Sequence, residues 1–138
     1  MDIKATNARV IEQFRAGEPV EGMHRDRLAL LTTVGSRSGL PRTTPMMVNR
    51  DGERMLLVAS NMGAPRDPDW YNNLVAEPHV TIEVDDPEPD TRYDAVAAPA
   101  TGEEYERLWA RLTTEYPFFL DHAASSKRRI PIVIVTPV

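Results

Sequence analysis

From Arg27 onward the chain is a succession of short apolar and β-branched runs, each closed by a turn signal, and this punctuation limits the fold more than any other feature. RLALLTTV (Arg27 to Val34) stops at Gly35, and Arg42 to Asn49 resumes an extended pattern after Pro41. Asp51-Gly52 marks a tight hairpin before RMLLVAS, Arg54 to Ser60, so the first three strands read as an antiparallel meander. HVTIEV alternates from His79 to Val84, Thr91 to Thr101 is long enough for a fifth strand, and IPIVIVTPV closes the chain from Ile130 to Val138. Six strands with few and short helices between them predict a mainly β (α+β) fold, an antiparallel sheet closed into a small barrel that leaves no free edge.

The helical signals are few. Ile3, Val10, Ile11 and Phe14 stand at helical spacing, which predicts an amphipathic helix from residue 3 to about 16, ending near Gly17. A linker with Pro19 and Gly22 follows, so residues 1–25 are an N-terminal helix and linker within one domain spanning 1–138. That helix packs on the barrel exterior or, on a second reading, covers a bound cofactor or rests weakly on a membrane surface. Trp70 to Ala76 predicts a short helix capped by Asp67 or Asp69, with Trp70, Leu74 and Val75 on its apolar side. Gly102 to Tyr116 carries Tyr105, Leu108, Trp109 and Leu112 as one core stripe, and a helical turn through Phe118, Phe119 and His122 follows Pro117. The acidic DDPEPD, Asp85 to Asp90, reads as a solvated hairpin tip.

Much chemistry is excluded. The 138 residues suit one domain, and the absence of cysteine removes disulfides, thiolate nucleophiles and Cys-based metal sites. A net charge of -5 argues against general nucleic-acid binding. MDIKATNARVIEQF lacks the continuous apolar core of a signal peptide, and no apolar run approaches the roughly 20 residues that span a bilayer, so the expected location is cytoplasmic. His24, His79 and His122 are far apart and form no metal-ligand pattern, and the chain has no GxSxG elbow, P-loop or GxGxxG fingerprint.

What remains is anion recognition. In LLTTVGSRSGLPRTTP, Arg37 and Arg42 flank a turn bracketed by Gly35 and Gly39, with Ser36, Ser38, Thr43 and Thr44 adding hydroxyl donors. Such a set suits phosphate or carboxylate oxygens; it is equally the composition of a surface turn with solvated arginines. Further on, Gly63, Ala64, Pro65 and Pro68 make a small, rigid loop that lets a flat ligand approach the backbone.

LLTTVGSRSGLPRTTPMM, VASNMGAPRDPDWYNNLVAEPHVTIEV and the tail RRIPIVIV together resemble the deazaflavin-dependent nitroreductases, a branch of the split β-barrel, FMN-binding-like flavin reductases that use coenzyme F420. The resemblance spans roughly residues 26 to 138. It implies that Arg37, Ser38, Gly39, Arg42, Thr43 and Thr44 hold the phosphate and acidic tail of the cofactor. Pro45 and Met46 then line its ribityl chain and ring; Ala59, Ser60, Asn61, Gly63 and Ala64 meet the ring edge; Trp70 and Asn73 support the pocket. It further implies hydride transfer from reduced F420 to a small electron-poor acceptor, a quinone, enone or nitro compound, with Phe118 and Phe119 walling the acceptor pocket. FMN in the same barrel and a non-catalytic F420 carrier are the alternatives, and a monomer or a homodimer is expected.

Two stretches depart from the family pattern: Asn61 and Met62 stand where lysine and glycine are common, and Phe119 and His122 where tyrosines are common. Loss of the lysine predicts weaker hold on an anionic cofactor, by the roughly 1.5 to 3 kcal/mol of a charge-assisted bond. His122 is then either the proton donor or a structural histidine.

Overall fold

The computed structural model describes residues 3–20 and 23–138, so Gly22 in the expected linker lies outside the described residues. Seven strands, β1 (Leu28–Val34), β2 (Pro41–Met47), β3 (Asn49–Asp51), β4 (Arg54–Val58), β5 (His79–Val84), β6 (Thr91–Pro99) and β7 (Ile132–Pro137), form one sheet in the order β2-β1-β5-β6-β7-β4-β3. Every pairing is antiparallel. β2 and β3 end opposite sides of that order yet are separated only by Val48, so the sheet must curl until its two ends meet at this residue. The expected barrel is thus a curled antiparallel sheet.

The strand count is seven rather than six because the second expected strand breaks at Val48. Residues before it pair with β1 and residues after it with β4. Val48 itself donates its N–H to Arg27 O at 2.8 Å and buries its side chain in the core. The expected meander therefore turns a corner, and the second neighbour of β4 is β7. The hairpin between β3 and β4 has Gly52 and Glu53 as its two loop residues, with Gly52 at φ +64° as the first loop position of a type II′ turn requires. Pro41 and Pro45 interrupt the N–H row of β2, which ends the sheet order on one side and resists pairing with another chain.

Helices cover the outside. α1 (Ile3–Arg15) buries Val10 and Phe14 against Leu28 and Leu30 of β1, which leaves Ile3 as its one largely exposed big apolar side chain. α3 (Gly102–Glu115) sets Tyr105, Leu108 and Leu112 on Leu56, Ile132 and Ile134, while the alternate residues Met55, Leu57, Val133 and Val135 point into the barrel. Both faces of β4 and β7 are therefore buried, which is why RMLLV and IVIV read as continuous rather than alternating apolar runs. Each such side chain fully removed from water contributes roughly 1.5 to 3 kcal/mol. Among the described residues, no helix is long and apolar enough to cross a membrane.

The acidic turn is solvated at its tip, residues 86–89, as expected, but not at its ends, Asp85 and Asp90. Asp85 pairs with Arg25 at 2.7 Å, and Glu83, 1% exposed, receives Arg15 from the end of α1 at 2.8 Å and Arg92 at 3.3 Å. α1 and the short turn at Arg25–Arg27 bring these arginines across the end of β5, where an acidic sequence alone shows no burial. Asp90 lies in this cluster, and burial together with the neighbouring Glu83 carboxyl pushes its pKa from 3.8 up to about 6. The folded protein thus keeps a proton that the unfolded chain has released. Stability should fall as pH rises from about 4 to about 6 and then level off. Asp90→Asn keeps the neutral, hydrogen-bonding form and suits φ +53°, a left-handed conformation in which asparagine is common. It is expected to stabilise the protein at pH 7.5 by about 1 to 3 kcal/mol and to flatten that slope, read by urea unfolding across pH.

Candidate functional site

Two cavities flank the loop that follows β4. The larger, about 620 Å³, is lined by Arg37, Asn61, Pro65, Arg66, Asp67, Pro68, Asp69, Asn72 and Arg128. The smaller, about 250 Å³, is lined by Met46, Met47, Asn49, Val58, Ser60, Asn61, Met62, Phe118 and Phe119. One is polar and arginine-rich, the other mostly apolar, and Asn61 belongs to both.

The turn carrying Arg37 is built from within. Gly35 N–H donates to Leu40 O and Gly39 N–H to Gly35 O, each at 2.8 Å, and Gly39 sits at φ +71°. Ser38 Oγ accepts the Leu40 N–H at 3.2 Å and lies where a Cβ on Gly35 would clash, so the Ser38 hydroxyl belongs to the turn itself. From α2 (Asp69–Ala76) the buried Asn73 accepts the Ser36 N–H at 3.0 Å and donates to Thr33 Oγ1 at 3.2 Å. Asn73 therefore fixes the turn against α2. Neither Asp67 nor Asp69 caps that helix through its side chain; Pro68 is the N-cap residue and Asp67 pairs with Arg128. Trp70 packs against the barrel core.

Strand alternation divides the residues of β2. Arg42, Thr44 and Met46 pair with Thr33, Leu31 and Ala29, on the inward face, and Thr43 and Pro45 pair with Thr32 and Leu30, on the face under α1. Thr43 Oγ1 is engaged with Thr32 Oγ1 at 2.8 Å. Of the expected set on this hairpin, Arg37 lines the larger cavity and Met46 the smaller, whereas Arg42, Thr43, Thr44 and Pro45 line neither. No residue of α1 lines either cavity.

The loop wall is a left-handed turn, Asn61–Gly63, with φ of +49°, +54° and +85° at Asn61, Met62 and Gly63. Asparagine tolerates this conformation, so Asn61 is matched to its backbone, and its amide closes the loop by donating to Arg66 O at 3.0 Å. Met62 is not so matched and holds strain of order 1 to 3 kcal/mol. Gly63 is buried, and its open side is used by α4 (Phe118–Ser126): an added Cβ would meet Ser125 Cβ at 3.2 Å and His122 Cα at 3.4 Å. The small residue expected to admit a ligand thus admits a helix.

Behind the loop stands Arg128, a residue given no role by sequence reasoning. It donates to Ala59 O and Ser60 O at 3.1 Å, to Ala64 O and Arg66 O at 3.2 Å, and to Asp67 at 2.6 Å. Arg66 was also missed; among the described residues neither it nor Arg37 has an ion-pair partner, which leaves two guanidinium groups for an anion. Phe118 and Phe119 line the smaller cavity. His122 lies outside both linings, edge-on to those two rings, with its Nδ1 buried and unpartnered.

Over residues 4–137 the chain matches the family described as F420H(2)-dependent quinone reductase. It is 36% identical over 110 residues to an F420H(2)-dependent quinone reductase of Mycobacterium tuberculosis, covering 78% of this chain and 71% of that protein. A solved F420-H2 dependent reductase, FDR-A, superimposes with a TM-score of 0.68 at 32% identity over 83% of this chain and 99% of that one. A chain solved as a domain-swapped dimer gives a TM-score of 0.71 at 30% identity, covering 96% of each.

Proposed function

Because the chain belongs to the F420H(2)-dependent quinone reductase family, we propose that it is an oxidoreductase that uses reduced coenzyme F420 to reduce a quinone or a similarly electron-poor acceptor. The observation that carries this reading is the pairing of a polar cavity with two unengaged arginines and an apolar cavity across one loop wall. An anionic tail and a flat ring need such a pair of environments, and an acidic protein needs its positive charge concentrated where the tail lies. The family's F420H(2) dependence favours F420 over FMN.

Arg37 and Arg66 hold the phosphate and acidic tail by charge-assisted hydrogen bonds. Asn73 and Arg128 keep the two elements that bear the cavity walls in place. When bound, the reduced cofactor supplies the hydride. Met46, Ser60 and Asn61 meet the ring, while Phe118 and Phe119 wall the acceptor and exclude water from its apolar side. The proton that completes the reduction enters from solvent at the open rim, since His122 lines neither cavity. The domain-swapped relative favours a homodimer over a monomer, which light scattering on the purified protein reads directly.

Titration of the protein with F420, followed by its fluorescence, is expected to saturate in the micromolar range, and the bound reduced cofactor is expected to be oxidised when a quinone is added. Saturation by FMN alone overturns the cofactor assignment. F420 binding without quinone-dependent oxidation makes the protein a carrier.

A further inference from the structure

We propose that the side-chain amide of Asn49 orients the cofactor ring in the smaller cavity, by pairing with the imide edge of its pyrimidinedione, where one ring N–H stands between two carbonyls. The inference rests on the reductase reading above and adds to it the residue that fixes which way the ring lies.

Asn49 is singled out by what it leaves unbonded. Among the described residues the buried polar side chains are those of Thr33, Asn49, Ser60, Asn73, Glu83 and Ser126. Asn73 donates to Thr33 at 3.2 Å, Glu83 receives Arg15 at 2.8 Å, and Ser126 Oγ donates to Ala123 O at 3.2 Å. That leaves Asn49 and Ser60, 7% and 8% exposed, and both line the smaller cavity. The Asn49 amide is not sealed in, since the sealed side-chain atoms without a partner are Asp90 Oδ1 and His122 Nδ1. Its polar atoms therefore open on the cavity. An amide held out of bulk water without a partner is costly, and β3 gives no reason for it, because asparagine is depleted in strands.

The register places this amide at the end of the cavity away from the loop. Asn49 pairs with Leu56, and Leu56, Val58 and Ser60 follow at alternate positions along β4 and its continuation. At about 3.3 Å per residue, Asn49 and Ser60 are roughly 13 Å apart. Ser60 stands beside Asn61, the residue shared with the larger cavity, so a ring whose tail lies there reaches Asn49 with its far edge. A cavity of about 250 Å³ is smaller than the roughly 300 to 1,000 Å³ that encloses a drug-sized ligand, so it takes one end of the ring. An asparagine amide offers a donor and an acceptor side by side. The imide edge matches both, whereas the benzenoid edge does not.

The test uses the deazaflavin riboside, which lacks the anionic tail, and its derivative methylated on the imide nitrogen. In Asn49→Leu the Kd for the riboside, read by fluorescence, should rise about tenfold, with a melting temperature within about 2 °C of wild type. Methylation should weaken binding to wild type by a similar factor and leave binding to Asn49→Leu unchanged, since the two changes remove the same contact. A second readout needs no variant: the side-chain amide NMR signal of Asn49, assigned through its backbone, should move downfield with the riboside and not with the methylated form. Equal losses for both ribosides in Asn49→Leu, an amide signal that moves with both or with neither, or a clearly lowered melting temperature overturns the proposal. If wild type binds riboflavin and no deazaflavin, and the amide signal moves, the cofactor reading falls and this inference stands, because the flavin ring has the same imide edge. Binding of neither ring overturns both.

Discussion

Replacing Arg128 with methionine is expected to lower the thermal midpoint by about 10 °C and to abolish saturable F420 binding, although Arg128 comes from the segment after α4 rather than from the loop it holds. Its side chain is 16% exposed and its guanidinium reaches four carbonyl oxygens and one carboxylate on residues 59–67. Methionine fills similar space but donates nothing, so the fully buried Ala59 loses a carbonyl partner and Asp67 loses its counter-ion. Breaking such a part-buried pair and leaving acceptors unmet costs about 3 kcal/mol, which for a chain of this size corresponds to about 10 °C. The same loop supplies Asn61 to both cavities, so loss of order there removes their shared wall. Arg128→Lys keeps the charge opposite Asp67 but not the planar fork, and should fall between wild type and Arg128→Met in both thermal melting and F420 titration. Wild-type affinity in Arg128→Met would show that the loop is ordered without it.

Local pattern carried most of the fold. The strands at Leu28–Val34, His79–Val84 and Ile132–Pro137 and the stripe of α3 are set by side chains within one element, and these are legible in sequence. The break at Val48 is not, because it depends on which distant strand pairs on either side, β1 before it and β4 after it. Burial of Glu83 and the ion pair of half-buried Asp85 were hidden for the same reason: their arginines stand 68 and 60 residues away. At the candidate site, Arg37, which lines the larger cavity, stood out in the sequence because turn and charge coincide locally. Arg128 escaped because its partners lie 61 to 69 residues earlier, although the resemblance included its RRIPIVIV segment. Asn61 looked like a missing lysine, and a left-handed backbone gives asparagine its own reason to be there.

The sequence places Arg37 and Arg42 on equal footing, and the structure separates them. Arg37 lines the larger cavity, whereas Arg42, on β2, lines neither. Arg37→Ala is therefore expected to raise the Kd for F420 by about 10- to 100-fold at low salt, the equivalent of one charge-assisted hydrogen bond of roughly 1.5 to 3 kcal/mol. Arg42→Ala should change it by less than about threefold. Because the cavity opens to water, added salt screens the Arg37 contribution, and the gap between the two variants should narrow as ionic strength rises from about 0.01 to 0.5 M. Fluorescence titration with a deazaflavin riboside that lacks the phosphate and acidic tail supplies the decisive comparison. If Arg37 holds the tail, this ligand should bind wild type and Arg37→Ala alike. A variant that loses the riboside as well would place Arg37 against the ring, and equal losses in Arg37→Ala and Arg42→Ala with intact F420 would show that the anion sits on the β1–β2 turn rather than in the larger cavity.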